Sequence, residues 1–203
     1  MTPTGRAAID LETLRARVER AMDGRPRRVV EPGDRVPAAV LLLFVERAGE
    51  PHLIFAKKTE TVPHHRGQFS FPGGIVETFD ASRVETALRE AQEEIGLDPA
   101  AVEVLGLLDD APTATTRFVI TPVVGLCPTP PTLRADGREI ERVLEVPLGR
   151  LLDRGAHREE LWEREGQMRP VAFFSYGDDV IWGATARILK EFLDLVFPER
   201  REA

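Results

Sequence analysis

The sequence predicts an α+β fold, a sandwich with helices against a mixed sheet. Three observations carry that expectation. Residues 36–46 form a nearly continuous apolar run, the signature of a central strand buried on both faces. Shorter apolar or alternating runs at 52–57, 102–108, 118–126 and 168–176 read as further strands. Two stretches of helical period accompany them, one over 82–95 and one opening at Ile181 and ending before Pro198.

Taken in order, residues 9–22 read as an amphipathic helix capped by Asp10, with Leu11, Leu14, Val18 and Met22 on one stripe that packs on the domain. The arginines between 25 and 28, followed by Pro32-Gly33-Asp34, read as a linker. Three segments are therefore expected: an N-terminal helix and linker over 1–33, the main domain over 34–198, and a tail over 199–203. Gly49, Glu50 and Pro51 turn the central strand into its partner. A basic cluster of Lys57, Lys58, His64, His65 and Arg66 comes next, and Lys58 and Arg66 suit phosphate contacts. Residues 109–117 make a polar loop, and the proline-rich 128–137 an exposed one bordering the site. Residues 148–152 form a short helix, Phe173 and Phe174 split between the two faces of a strand, and Trp182 reads as a core anchor.

Composition narrows the function. The 203 residues suffice for one domain with a proper core. A net charge of −7 argues against general nucleic-acid binding, yet leaves phosphate-bearing small molecules open, because a bound cation reverses the local sign. The single cysteine, Cys127, excludes an internal disulfide and a cysteine-based zinc cluster, and its apolar surroundings suit a structural residue. No apolar run approaches the length of a membrane span, and the start lacks the apolar core of a secretory signal, so a cytoplasmic protein is expected, monomeric or homodimeric and away from membranes.

The chemistry concentrates in residues 67–97. Val84, Ala87, Leu88, Ala91 and Ile95 mark one helical face, Ser82 with Glu85 is a capping box, and Gly96 followed by Pro99 is a stop. At about 100° per residue, Glu90 and Glu94 project side by side, and Glu93 lies about 60° to the other side of Glu90. Like charges at this spacing cost a helix about 0.2–0.5 kcal/mol per pair, so something should offset them. Arg89 is placed to neutralise or orient Glu93, which leaves Glu90 and Glu94 facing a common point suited to Mg²⁺ or Mn²⁺. A solvated acidic face is the alternative, weakened by the arginine and the Pro72-Gly73-Gly74 loop ahead of the helix.

Arg89-Glu90-Ala91-Gln92-Glu93-Glu94-Ile95-Gly96-Leu97 resembles the second half of the Nudix box, and Gly73-Gly74 its opening. Five residues after Gly74 intervene before Asp80, where the box has a glutamate, and one extra residue precedes Arg89; Glu77 is a second candidate for that acid. The extra residue, the lead-in from His65 to Gly74, the string Thr121-Pro122-Val123-Val124-Gly125 and the run from Ile181 to Arg187 resemble the coenzyme A pyrophosphatase branch. Glu145-Val146-Pro147-Leu148 resembles the family's strand-to-helix junction, and Glu139 matches an acidic position there, either a site carboxylate or a surface acid. The resemblance implies a Nudix-type α/β/α sandwich. It further implies metal-dependent hydrolysis of coenzyme A or its derivatives, giving 3′,5′-ADP and 4′-phosphopantetheine or its acyl form. On it the Gly73 carbonyl, Glu90 and Glu94 hold Mg²⁺ or Mn²⁺, Glu93 holds a further ion or is oriented by Arg89, and Glu90, Glu93 or Glu139 is the general base. Lys58, His65, Arg66 and Gly74 would meet the substrate. A Nudix enzyme for ADP-ribose, NADH or nucleoside triphosphates is one competing reading, and a non-catalytic nucleotide sensor another, though a pure binder has no need of three intact glutamates.

Overall fold

The computed structural model describes residues 9–61, 66–113, 116–164 and 166–202. The chain runs α1 (Leu11–Met22), β1 (Val36–Arg47), β2 (Glu50–Lys58), β3 (Phe69–Ser70), β4 (Gly73–Ile75), α2 (Arg83–Ile95), β5 (Glu103–Leu107) and β6 (Ala111–Pro112). It continues through β7 (Phe118–Cys127), β8 (Ile140–Pro147), α3 (Leu148–Leu151), β9 (His157–Arg164), β10 (Gln167–Tyr176), β11 (Asp179–Trp182), α4 (Gly183–Val196) and α5 (Glu199–Glu202). Among the described residues, β1 to β8 build one mixed sheet with β1 at its centre, and β9 to β11 build a second, antiparallel one. The α+β class holds.

The composition of β1 explains the layers. Alternate side chains of a strand leave on opposite faces. Leu42 and Phe44 therefore join one apolar core with Leu14 and Val18 of α1 and Leu189 and Phe192 of α4, while Leu41, Leu43 and Val45 join another with Ala87, Ala91 and Ile95 of α2. A strand covered on both sides has no polar face to show. The rings of Phe44 and Phe192 lie 5.2 Å apart across the first core, and Cys127 is buried in the second, where burial pushes its thiol pKa up.

The pairing of β1 also places the site. One flank runs parallel to β7 from Val36 opposite Phe118 to Val45 opposite Cys127. The other flank divides: Phe44 to Arg47 pair with β2, whereas Ala38 to Val40 pair with β4. Between them the Leu41 N–H donates to the Pro72 carbonyl at 2.8 Å. The Pro-Gly-Gly loop is thus stitched into the fork of the sheet, at the entrance to α2.

Three features depart from the sequence expectation. Residues 179–182 continue as β11, paired with β10, so the last helix begins at Gly183 rather than Ile181. The charged 157–164 stretch, which shows no apolar alternation, is β9, held as a strand by its register with β10. Phe173 and Phe174 do split as expected, with Phe174 in the main core, but Trp182 pairs with Phe173 and so shares its face. Trp182 is half-buried in an aromatic group with Phe173 and Trp162, outside the main core.

Candidate active site

Two glycines shape the floor of the site. Gly73 has φ +154°, and a Cβ there would stand 2.3 Å from the Ala39 carbonyl oxygen of β1. A Cβ on Gly74 would stand 2.5 Å from the Glu90 carboxyl carbon. The second glycine is therefore the seat of that carboxylate: a side chain would evict it.

α2 delivers the acids as its pattern predicts. Ser82 Oγ accepts from the Glu85 N–H at 3.1 Å, Glu85 accepts from the Ala81 N–H at 2.7 Å, and Gly96 at φ +67° ends the helix. Thr86, Ala87, Ala91 and Ile95 are buried, with Val84 and Leu88 packed at their margin. This anchoring fixes the direction of Glu90, Glu93 and Glu94.

Arg89 serves Asp80 before it serves any glutamate. Its Nε and Nη2 reach the two Asp80 oxygens at 3.0 Å each, a bidentate pair. Nη1 donates to Glu90 at 2.8 Å and reaches Glu93 only at 3.4 Å, and Nη2 also caps the Ile75 carbonyl at 3.1 Å. Asp80 accepts further from the Glu77 N–H and the Thr86 hydroxyl, both at 2.9 Å. The Arg89 guanidinium, with these donors, holds the Asp80 carboxyl well below the usual carboxylate range. Of the two acids that the sequence left open, Asp80 is the arginine's partner, and Glu77 is exposed and supplies only its backbone. The expected neutralisation of Glu93 by Arg89 is correspondingly slight.

Glu94 is 4% exposed and doubly held: Oε1 accepts from Lys58 Nζ at 2.5 Å and Oε2 from the Gly73 N–H at 3.1 Å. Burial pushes its pKa up against the pull of Lys58, and Glu90 is raised by burial against the pull of Arg89. Glu93 is open, its side chain 60% exposed. Lys58 reaches Glu94 through a bulge in the β2–β8 pairing, where Lys57 lies opposite Arg142 and Lys58 opposite Ile140. Lys57 goes to Glu141 at 2.9 Å instead.

The 128–137 loop, expected to border the site, is joined to the end of α2 beside it. The Arg134 and Asp136 N–H groups bond the Ile95 and Glu94 carbonyls at the end of α2, at 2.9 and 3.0 Å. Asp136 then accepts from the N–H groups of Ile140, Glu139 and Arg138, which outweigh its burial and lower its pKa. Glu90, Glu93, Glu94, Asp136, Arg138 and Glu139 together line a cavity of about 320 Å³. Asp136 and Arg138 escaped the sequence reading, although Asp136-Gly137 is a recognisable turn signal. Among the other expected contacts, Gly74 and Lys58 touch this cluster, Arg66 sits in an exposed turn before β3, and His65 lies outside the described residues.

The donor set suits a hard divalent cation in kind, since the acids offer only oxygen and two of them are shielded from water. Among the described residues no three acids are grouped closely enough to hold a metal ion as they stand; Glu94 is paired with Lys58 and Glu90 with Arg89.

Residues 34–168 match the family model of the NUDIX domain. The chain belongs to the Nudix family. Its relatives include the Nudix hydrolase NudL of Salmonella paratyphi B, itself uncharacterized, which is 39% identical over 82% of this chain and 86% of that protein. NudL of Salmonella typhimurium matches at the same identity and coverage. Among solved structures, a MutT/nudix family protein from Enterococcus faecalis shares the fold, with a TM-score of 0.53 and 20% identity over 85% of this chain and 65% of that one. The Nudix model spans β1 to the start of β10, and so takes in the glycine floor, α2 and the Asp136–Glu139 turn. No helix among the described residues is long and apolar enough to cross a membrane.

Proposed function

We propose that this Nudix protein hydrolyses the diphosphate of coenzyme A or a derivative, with Mg²⁺ or Mn²⁺, to 3′,5′-ADP and 4′-phosphopantetheine or its acyl form. The observation that supports it best is the cavity in which Glu90, Glu93, Glu94, Asp136 and Glu139 gather over the Gly73-Gly74 floor. An acidic pocket repels a diphosphate unless cations intervene. Glu90, Glu94 and the Gly73 carbonyl would hold the cation, which supplies Lewis acidity and a water of lowered pKa. Glu93 and Glu139, both mostly exposed and facing the cavity, are best suited among this chain's acids to take a proton from the attacking water. Arg89 keeps Glu90 oriented, and Lys58, Arg66, His65 and the Gly74 amide are the contacts assigned to phosphate. The choice of coenzyme A rests on the resemblance of the His65–Gly74 lead-in and of residues 121–125 and 181–187 to that branch.

The test is a substrate panel with Mg²⁺: coenzyme A, an acyl derivative, ADP-ribose, NADH and a nucleoside triphosphate. Turnover of the coenzyme A forms should lead, and Glu90→Gln should lower it by roughly 10²–10⁴-fold while the protein stays folded. A clear lead for ADP-ribose overturns the substrate assignment. Unchanged turnover in Glu90→Gln removes that residue from the chemistry.

A further inference from the structure

We propose that Lys58 is a built-in counter-ion which a divalent cation must displace from Glu94, and that Glu139 and the substrate diphosphate receive the released ammonium. The proposal rests on the divalent-cation reading above and adds an order of events to it. Glu94 is almost fully buried, and a buried carboxylate requires a charged or hydrogen-bonding partner on each oxygen. Gly73 N–H takes one oxygen, and Lys58 the other at 2.5 Å. A divalent ion held by that carboxylate would set its double positive charge against the ammonium that Glu94 already holds, in a site with little water to screen the repulsion. Lysine and cation therefore compete for the same oxygen.

Glu139 provides the exit. Lys58 Nζ lies 3.8 Å from Glu139 Oε2, and Glu139 is 66% exposed at the mouth of the cavity. The two residues are held together by the backbone, since the Thr59 N–H donates to the Glu139 carbonyl at 2.8 Å. Asp136 fixes the Glu139 turn from below by accepting its N–H at 3.1 Å. A lysine on a flexible four-carbon stem can exchange one acid for the other without backbone movement. It then points toward the substrate side, so cation loading would arm the phosphate contact that the sequence assigns to Lys58.

The chain suits a direct test, because its only lysines are Lys57, Lys58 and Lys190. Lys57 and Lys190 are paired with Glu141 and Asp194, away from the competition, and act as internal references. The intact protein is pulsed with an amine-acylating reagent with and without Mn²⁺, labelling is read by mass spectrometry, and bound Mn²⁺ is counted by electron paramagnetic resonance. Saturating Mn²⁺ should raise labelling of Lys58 on the order of tenfold, as expected when a charge-assisted contact is lost, and leave Lys57 and Lys190 unchanged. Glu94→Gln should label fast at Lys58 without metal. Bound Mn²⁺ with Lys58 labelling unchanged or slowed overturns the displacement and leaves the cation reading standing. If no Mn²⁺ binds at all, both fall.

Discussion

Asp80 sets the electrostatics of the site while lying at its margin. It is buried, bidentate to Arg89, and bonded to the Thr86 hydroxyl and the Glu77 N–H, so it fixes the guanidinium that in turn holds Glu90. Removing one partner of such a pair leaves the other's charge uncompensated. Asp80→Asn should cost roughly 1.5–3 kcal/mol at neutral pH, the range for hydrogen bonds to charged groups, as read by urea denaturation. The folded carboxyl has its pKa depressed, so its stabilisation is complete above the unfolded value of about 3.9 and is lost as pH falls toward the folded one. The gap between the wild type and Asp80→Asn should therefore narrow as pH drops from about 4, and a gap that stays constant down to pH 2 would show that the charge is irrelevant. This residue also marks the limit of what could be read from the sequence at the site. The spacing on α2 was enough to align Glu90, Glu93 and Glu94, because helical geometry is local. The choice between Asp80 and Glu77 depended on how residues 76–82 fold back over α2, and Asp136 depended on a loop more than forty residues on from Glu90.

At the scale of elements, legibility followed burial. β1 announced itself because both its faces are covered, and α1 because its stripe of Leu11, Leu14 and Val18 meets the same core as α4. β9 could not announce itself: its side chains are mostly charged, and only its pairing with β10 makes it a strand. The 25–34 segment read as a linker and is in fact strapped down. Arg25 pairs with Asp109 at 2.6 Å, Arg27 with Asp110, and the Val30 N–H with Asp110 at 2.9 Å. Straps of this kind pair residues about eighty positions apart, which periodicity cannot reveal. With the buried stripe and these straps, α1 should unfold together with the sheet. Leu14 is fully buried, so Leu14→Ala should cost about 2–4 kcal/mol and lower Tm by about 5–15 °C. A Tm within 1–2 °C of the wild type, on the order of experimental scatter, would mean that α1 unfolds separately from the sheet.

For the molecule as a whole, the acidic cavity is a region where like charges are gathered at a cost in stability. Glu90 and Glu94 sit side by side in a half-dry site, and burial raises the pKa of both, which means that their ionised forms are disfavoured there. The surrounding structure holds them through Arg89, Lys58 and the Gly73 N–H, while the sheet fork and α2 keep them from spreading apart. A cation that binds only the folded chain relieves this strain and adds stability by mass action. At a hundred times its dissociation constant Mn²⁺ should add about 2.7 kcal/mol, or about 5–10 °C in Tm for a chain of this size. The increment should vanish in Glu94→Gln, whose apo form should melt near or above the wild-type apo protein only if the lost charge outweighs the lost Lys58 contact. Differential scanning calorimetry with and without Mn²⁺ on both proteins reads all four values. An equal Mn²⁺ increment in Glu94→Gln would move the cation away from this cavity, and with it the reason for the acids to be gathered there.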